Sequence, residues 1–211
     1  MTRRLPLLFV LLLAACARPM TEAETHLAHT LFGDEIDTSR VRVSRGLGLA
    51  PVGRSAITEV RLVTGTDQAC VRVPQPREAA QPLAFAVRNR IHLTSDIYAG
   101  DAALGWPDAV RFPNALVFAH ELTHIWQWQN RERTGYSAAR AISESLALAD
   151  PYFAPPGETD FFAYGFEQQA AFVEDFICFT AANPDHPRRQ ELRAILAPVI
   201  DVAAVEAALA P

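Results

Sequence analysis

Apolar residues fall into three successive patterns along the chain, and each predicts a different kind of element. From Leu5 to Leu13 they form an unbroken run. In Val41–Val43, Ala56–Val63, Ala69–Val73 and Leu83–Leu93 they are β-branched or alternate with polar residues, between Gly and Pro turns, which predicts strands. After that the repeat lengthens to helical spacing over Ala115–Gln129, Ala138–Ala149, Phe162–Thr180 and Pro187–Leu209. A small N-terminal antiparallel sheet followed by helices is an α+β layout.

The helix predicted from Ala115 carries the chemistry. Pro113-Asn114 starts it, and no Gly or Pro interrupts it before Gly135. Phe118, Leu122, Ile125 and Trp126 make an apolar side for the core, while His120, His124 and Gln127 fall on another face. Two imidazoles four residues apart on one helix face can grip a single metal ion, and Glu121 stands beside them as a base. That spacing suits zinc in a hydrolytic site, where three protein ligands leave one position for water.

A third ligand has to come from elsewhere. Glu167 is the leading choice, because Ala170 and Ala171 lie one turn on and permit close approach to the histidine helix. Glu174 shares that side and suits the acceptor of a ligand histidine's free N–H. Glu144 is the rival, with Asp175 and His92 behind it. For the hydrogen-bond donor to a developing oxyanion, Tyr164, one turn before Glu167, comes first, ahead of Tyr152, Tyr136 and His92. Trp126 and Trp128 are read as packing residues. His26, His29 and His186 are read as exposed or loop histidines outside the site.

His120-Glu-Leu-Thr-His-Ile-Trp-Gln127, followed by Tyr164-Gly-Phe-Glu-Gln-Gln-Ala170, resembles a group of zincin-like bacterial metallopeptidases, including uncharacterised Vgr-related and injection-system-associated proteins. The likeness spans roughly residues 85 to 180. It implies a gluzincin-type site with His120, His124 and Glu167 as zinc ligands, Glu121 as base, and a peptide or protein as substrate. In such enzymes the strand beside the active helix offers its edge to an extended substrate, here Phe85–Leu93. The chain departs from thermolysin-like enzymes in having Ala171 where they place an Asp.

The chain ends change the picture of where this chemistry would occur. Met1-Thr-Arg-Arg4, the apolar run and Leu13-Ala-Ala-Cys16 together resemble a bacterial lipoprotein signal. The resemblance implies residues 1–15 as a cleaved signal, acylation of Cys16, and a lipid-anchored protein of the outer membrane facing the periplasm. Residues 16–40 are then expected as a tether and first helix, and 41–211 as a single catalytic domain. The formal charge is -5, or -7 without Arg3 and Arg4, and the basic residues are scattered. This charge pattern excludes a phosphate-tracking nucleic-acid surface. Cys70 and Cys178 are free to form a disulfide in an oxidising compartment, or to remain buried thiols.

Overall fold

Strand β1 (Ala17–Pro19) is the first element of the computed structural model, which describes residues 17–46, 61–62, 70–71, 83–147, 150–154 and 160–210. The signal run, Cys16 and most of the strands predicted at 56–63 and 69–73 lie outside the described residues. Helix α1 (Glu22–Phe32) begins at a capping box. Thr21 Oγ1 accepts from the Glu24 amide at 3.1 Å, and Glu24 Oε2 accepts from the Thr21 amide at 2.9 Å. Glu24 is fully buried, and Arg18 donates to both its oxygens at 2.7 Å. Leu27, Ala28 and Leu31 beyond it are wholly inaccessible. The segment expected as a tether is therefore bound into the fold from Ala17 onward.

Strands β2 (Arg42–Arg45), β3 (Arg61–Leu62), β4 (Ala84–Val87), β5 (Arg90–Leu93) and β6 (Arg111–Phe112) follow. One sheet has the order β1-β2-β5-β4, and β3 pairs with β6 in a second. The expected antiparallel sheet is in fact mixed, because β2 and β5 run parallel across the long connection between Gly46 and Leu83. The continuous strand expected over 83–93 is a hairpin instead. Arg88 turns the chain with φ 56°, and β4, not β5, is the edge among the described strands.

Helix α2 (Asn114–Gln129) carries the two histidines, and α3 (Arg131–Thr134) ends at Gly135 with φ 68°. The left-handed backbone calls for glycine there, since the only atom a Cβ would crowd, Arg140 Nη1 at 2.8 Å, ends a flexible side chain that can move. Then come α4 (Ala138–Ala147), α5 (Phe166–Ala182), α6 (Pro187–Leu196) and α7 (Val202–Ala208). The single helix predicted over 187–209 divides at Pro198, which has no N–H to continue the ladder. The helix expected from Phe162 starts at Phe166, after a 3₁₀ turn (Phe161–Ala163) and an N-cap at Gly165, whose N–H donates to Gln168 Oε1 at 3.0 Å.

Helix α2 packs against α5 on one side and against β4 and β5 on the other. Phe118, Leu122, Ile125 and Trp126 are fully buried, as their spacing predicts. At roughly 1.5–3 kcal/mol each, these four contribute roughly 6–12 kcal/mol. Trp126 stacks on Phe32 at 5.4 Å and donates to Glu35 Oε2 at 3.0 Å. Trp128 is only half-buried and lies beneath the guanidiniums of Arg88 and Arg131. Cys70 and Cys178 are joined by a disulfide that closes a separation of 108 residues, with the Cα atoms 5.6 Å apart.

Candidate metal centre

His120 and His124 sit one turn apart on α2, with 7% and 5% of their surface exposed. Glu167, in the first turn of α5, reaches across so that its Oε2 lies 3.1 Å from His120 Nε2 and 3.3 Å from His124 Nε2. The three donor atoms lie within 4.8 Å of one another, and no other such group occurs among the described residues. Two imidazole nitrogens and one carboxylate oxygen, deprotonated, form a donor set that can hold a divalent transition metal.

The other side of each imidazole is also fixed. His120 Nδ1 faces Glu174 Oε2 at 3.3 Å, the role expected for Glu174. His124 Nδ1 donates to Gln127 Oε1 at 2.8 Å, a partner the sequence placed on the right face without assigning it a role. The rival Glu144 points elsewhere, since its Oε2 accepts from the Phe166 amide at 3.0 Å and so caps the helix that presents Glu167. His92 lies on β5, stacked on Phe85 at 4.6 Å and bonded to Gly46 O. Burial holds its pKa below the ordinary imidazole value. Asp175 is buried beside Glu174 but is not one of the converging donors.

Glu121 is 4% exposed, and its Oε2 is buried with no hydrogen-bond partner. An orphaned carboxylate oxygen beside a converging donor set fits a site that works on water or a polar ligand. Burial pushes Glu121 up to about 7 against the pull of His120 and His124. For His120, burial opposes the charge, but Glu167 and Glu174 overcome it and hold the imidazole up at about 10. His124 is raised in the same sense by Glu167. Burial works against charge on Glu167 too, yet His124 and His120 keep it well below the usual carboxylate range.

Two tyrosines flank the histidines. Tyr152 lies 5.8 Å from the His120 ring and Tyr136 6.2 Å from the His124 ring. Burial, then Glu167 and Glu121, push the Tyr136 phenol up to about 12, so it stays a donor at neutral pH. Tyr164, the first choice from sequence, packs edge-on to Phe172 at 4.7 Å. Its backbone carbonyl accepts from Gln169. Beside Tyr152 a cavity of about 240 Å³ opens between Phe172, Phe179 and the disulfide at Cys70. His26 and His29 are exposed on α1, and His186 caps α6, as their exclusion from the site anticipated.

Compared with known proteins, the chain matches no family profile and no curated sequence. A solved structure does resemble it. The effector domain of Pseudomonas aeruginosa VgrG2b is similar with a TM-score of 0.50 and 23% identity, over 86% of this chain and 83% of that one. At that identity the likeness concerns the fold, and it agrees with the Vgr-related resemblance carried by the two motifs.

Proposed function

We propose that this chain is an exported, lipid-anchored zinc metallopeptidase of the gluzincin type, with His120, His124 and Glu167 as zinc ligands. The observation that carries the reading is the convergence of two buried imidazoles and the partly buried Glu167 carboxylate beside the unpartnered Glu121 Oε2. Zinc held by His120, His124 and Glu167 would supply Lewis acidity, to polarise a substrate carbonyl and acidify the attacking water. Glu121, poised near neutrality, takes the proton from that water as its oxygen bonds to the carbonyl carbon. It then delivers the proton to the leaving nitrogen as the C–N bond breaks. Tyr136 and Tyr152, whose rings lie beside the histidine pair, join Tyr164 as candidate donors to the developing oxyanion. Among the described strands β4 is an outer one, and its edge suits pairing with an extended peptide.

The disulfide supports export, because such bonds persist in oxidising compartments, and so does the Cys16 signal pattern. Among the described residues no helix is long and apolar enough to cross a membrane.

Replacing the base tests the mechanism. Glu121→Gln should lower peptide cleavage by about 10²–10⁴-fold while the protein still binds one zinc. Full cleavage by that variant would refute the assignment.

A further inference from the structure

Gln127 is wholly inaccessible and Gln169 is 1% exposed, and a buried amide persists only when its donors and acceptor are met. Their contacts form one connected chain. Gln169 Nε2 donates to Tyr164 O at 2.7 Å, and Gln127 Nε2 donates to Gln169 Oε1 at 2.9 Å and to Phe166 O at 3.3 Å. Gln127 Oε1 accepts from His124 Nδ1 at 2.8 Å.

The order of these links is forced. A backbone carbonyl only accepts, so Tyr164 O requires the NH₂ end of Gln169, which leaves the Gln169 oxygen facing Gln127. That oxygen requires the NH₂ end of Gln127, as does Phe166 O, and the Gln127 oxygen is left facing His124. His124 must then carry a proton on Nδ1, and its Nε2, the atom facing Glu167 Oε2 at 3.3 Å, is the one with the lone pair in the neutral ring.

We infer that Gln127 and Gln169 are positioning residues for the metal centre, acting together as an amide relay. One end sets the tautomer of His124, and the other binds the turn that presents Glu167. This inference rests on the metal-centre reading above. Tyr164, Phe166 and Gln169 bracket Glu167 in sequence, so the bonds of Gln127 to Phe166 and Gln169, with Gln169 in turn bound to Tyr164 O, register the first turn of α5 against α2. Thr134 Oγ1, donating to Gln127 O at 2.8 Å, holds the same residue from the α3 side. An amide suits the place better than a carboxylate. Glu121, Glu167 and Glu174 already crowd the centre with acidic groups, and a neutral acceptor orients His124 without adding a fourth.

The test compares wild type with Gln127→Met, Gln169→Met and Gln127→Glu. Three quantities are read: zinc affinity by chelator competition, the protonation pattern of the His124 nitrogens by heteronuclear NMR of the zinc-loaded protein, and thermal unfolding. Gln127→Met should weaken zinc binding by about 10–100-fold and alter the His124 signature. Gln169→Met, which touches no donor residue, should move both readouts in the same direction by a smaller factor. Gln127→Glu keeps the acceptor and loses the donor, so it should restore the His124 signature but not the full affinity. If Gln127→Met does not fold, Gln169→Met decides by the same readouts. Wild-type zinc binding with both methionine variants within twofold of it and unchanged His124 signals overturns the relay alone. A wild type that binds no zinc overturns the metal-centre reading and the relay with it.

Discussion

Burial acts on every ionisable group at the centre; neighbouring charges overcome it at His120, His124 and Glu167, whereas burial prevails at Glu121. His120 has a folded value of about 10 against an ordinary 6.5, so its contribution to the metal-free fold is complete below pH 6.5 and is lost as pH rises through about 10. Glu121 is raised from 4.5 to about 7, so the fold is favoured below pH 4.5 and loses that advantage as pH climbs through about 7. Glu167 is lowered, so its contribution is present above 4.5 and disappears in acid. Between weakly acidic and alkaline pH the metal-free protein therefore loses stability, while the imidazole protons that a metal must displace become easier to remove. Zinc should raise the melting temperature more at about pH 8.5 than at about pH 6. Thermal melts with and without zinc at both values check this, and equal shifts would contradict it.

The helices carrying the donors were legible in sequence because their apolar period runs uninterrupted, as from Ala115 to Gln129. The hairpin was not legible: Val87-Arg-Asn-Arg90 holds no Gly or Pro, and the turn depends on Arg88 adopting a positive φ that its side chain does not advertise. The apolar period continues across Pro198 and hid the break between α6 and α7. Glu144 had a plausible ligand spacing, but only the docking of α4 onto α5 shows that it caps a helix instead. Gln169 stands within the Tyr164–Ala170 motif, but nothing in that pattern assigned it a role, because its partner Gln127 lies on another helix. The elements are tied together by the bridge from Cys70 to Cys178 near the far end of α5. Reducing it, or Cys178→Ser, should cost about 4–5 kcal/mol by the loop-closure argument, read as a lower denaturant midpoint. No change in midpoint on reduction would show that the bridge is not holding the fold.

On the scale of the whole molecule, the sheet fixes how the domain would sit on a membrane. Ala17 is already in a strand paired with Ser44, and Arg18 is locked to Glu24, so acylation at Cys16 would leave almost no free chain between lipid and fold. β1 is one outer strand of the sheet and β4, the proposed substrate edge, is the other. Among the described strands, a lipid anchor at Cys16 and a peptide paired on β4 would therefore lie at opposite outer strands of the sheet, three strand spacings or about 14 Å apart. Cys16→Ser should move the protein from the membrane fraction to the soluble one, as fractionation and acyl labelling would show, and unchanged membrane association would argue against the lipid anchor. The account stands on what the two histidines and Glu167 hold. X-ray absorption of the zinc-loaded protein addresses that directly. One zinc per chain, bound by two imidazole nitrogens and a Glu167 oxygen with one position left for exchangeable water, is the predicted result. A zinc bound elsewhere, or closed off by four protein ligands, would contradict it.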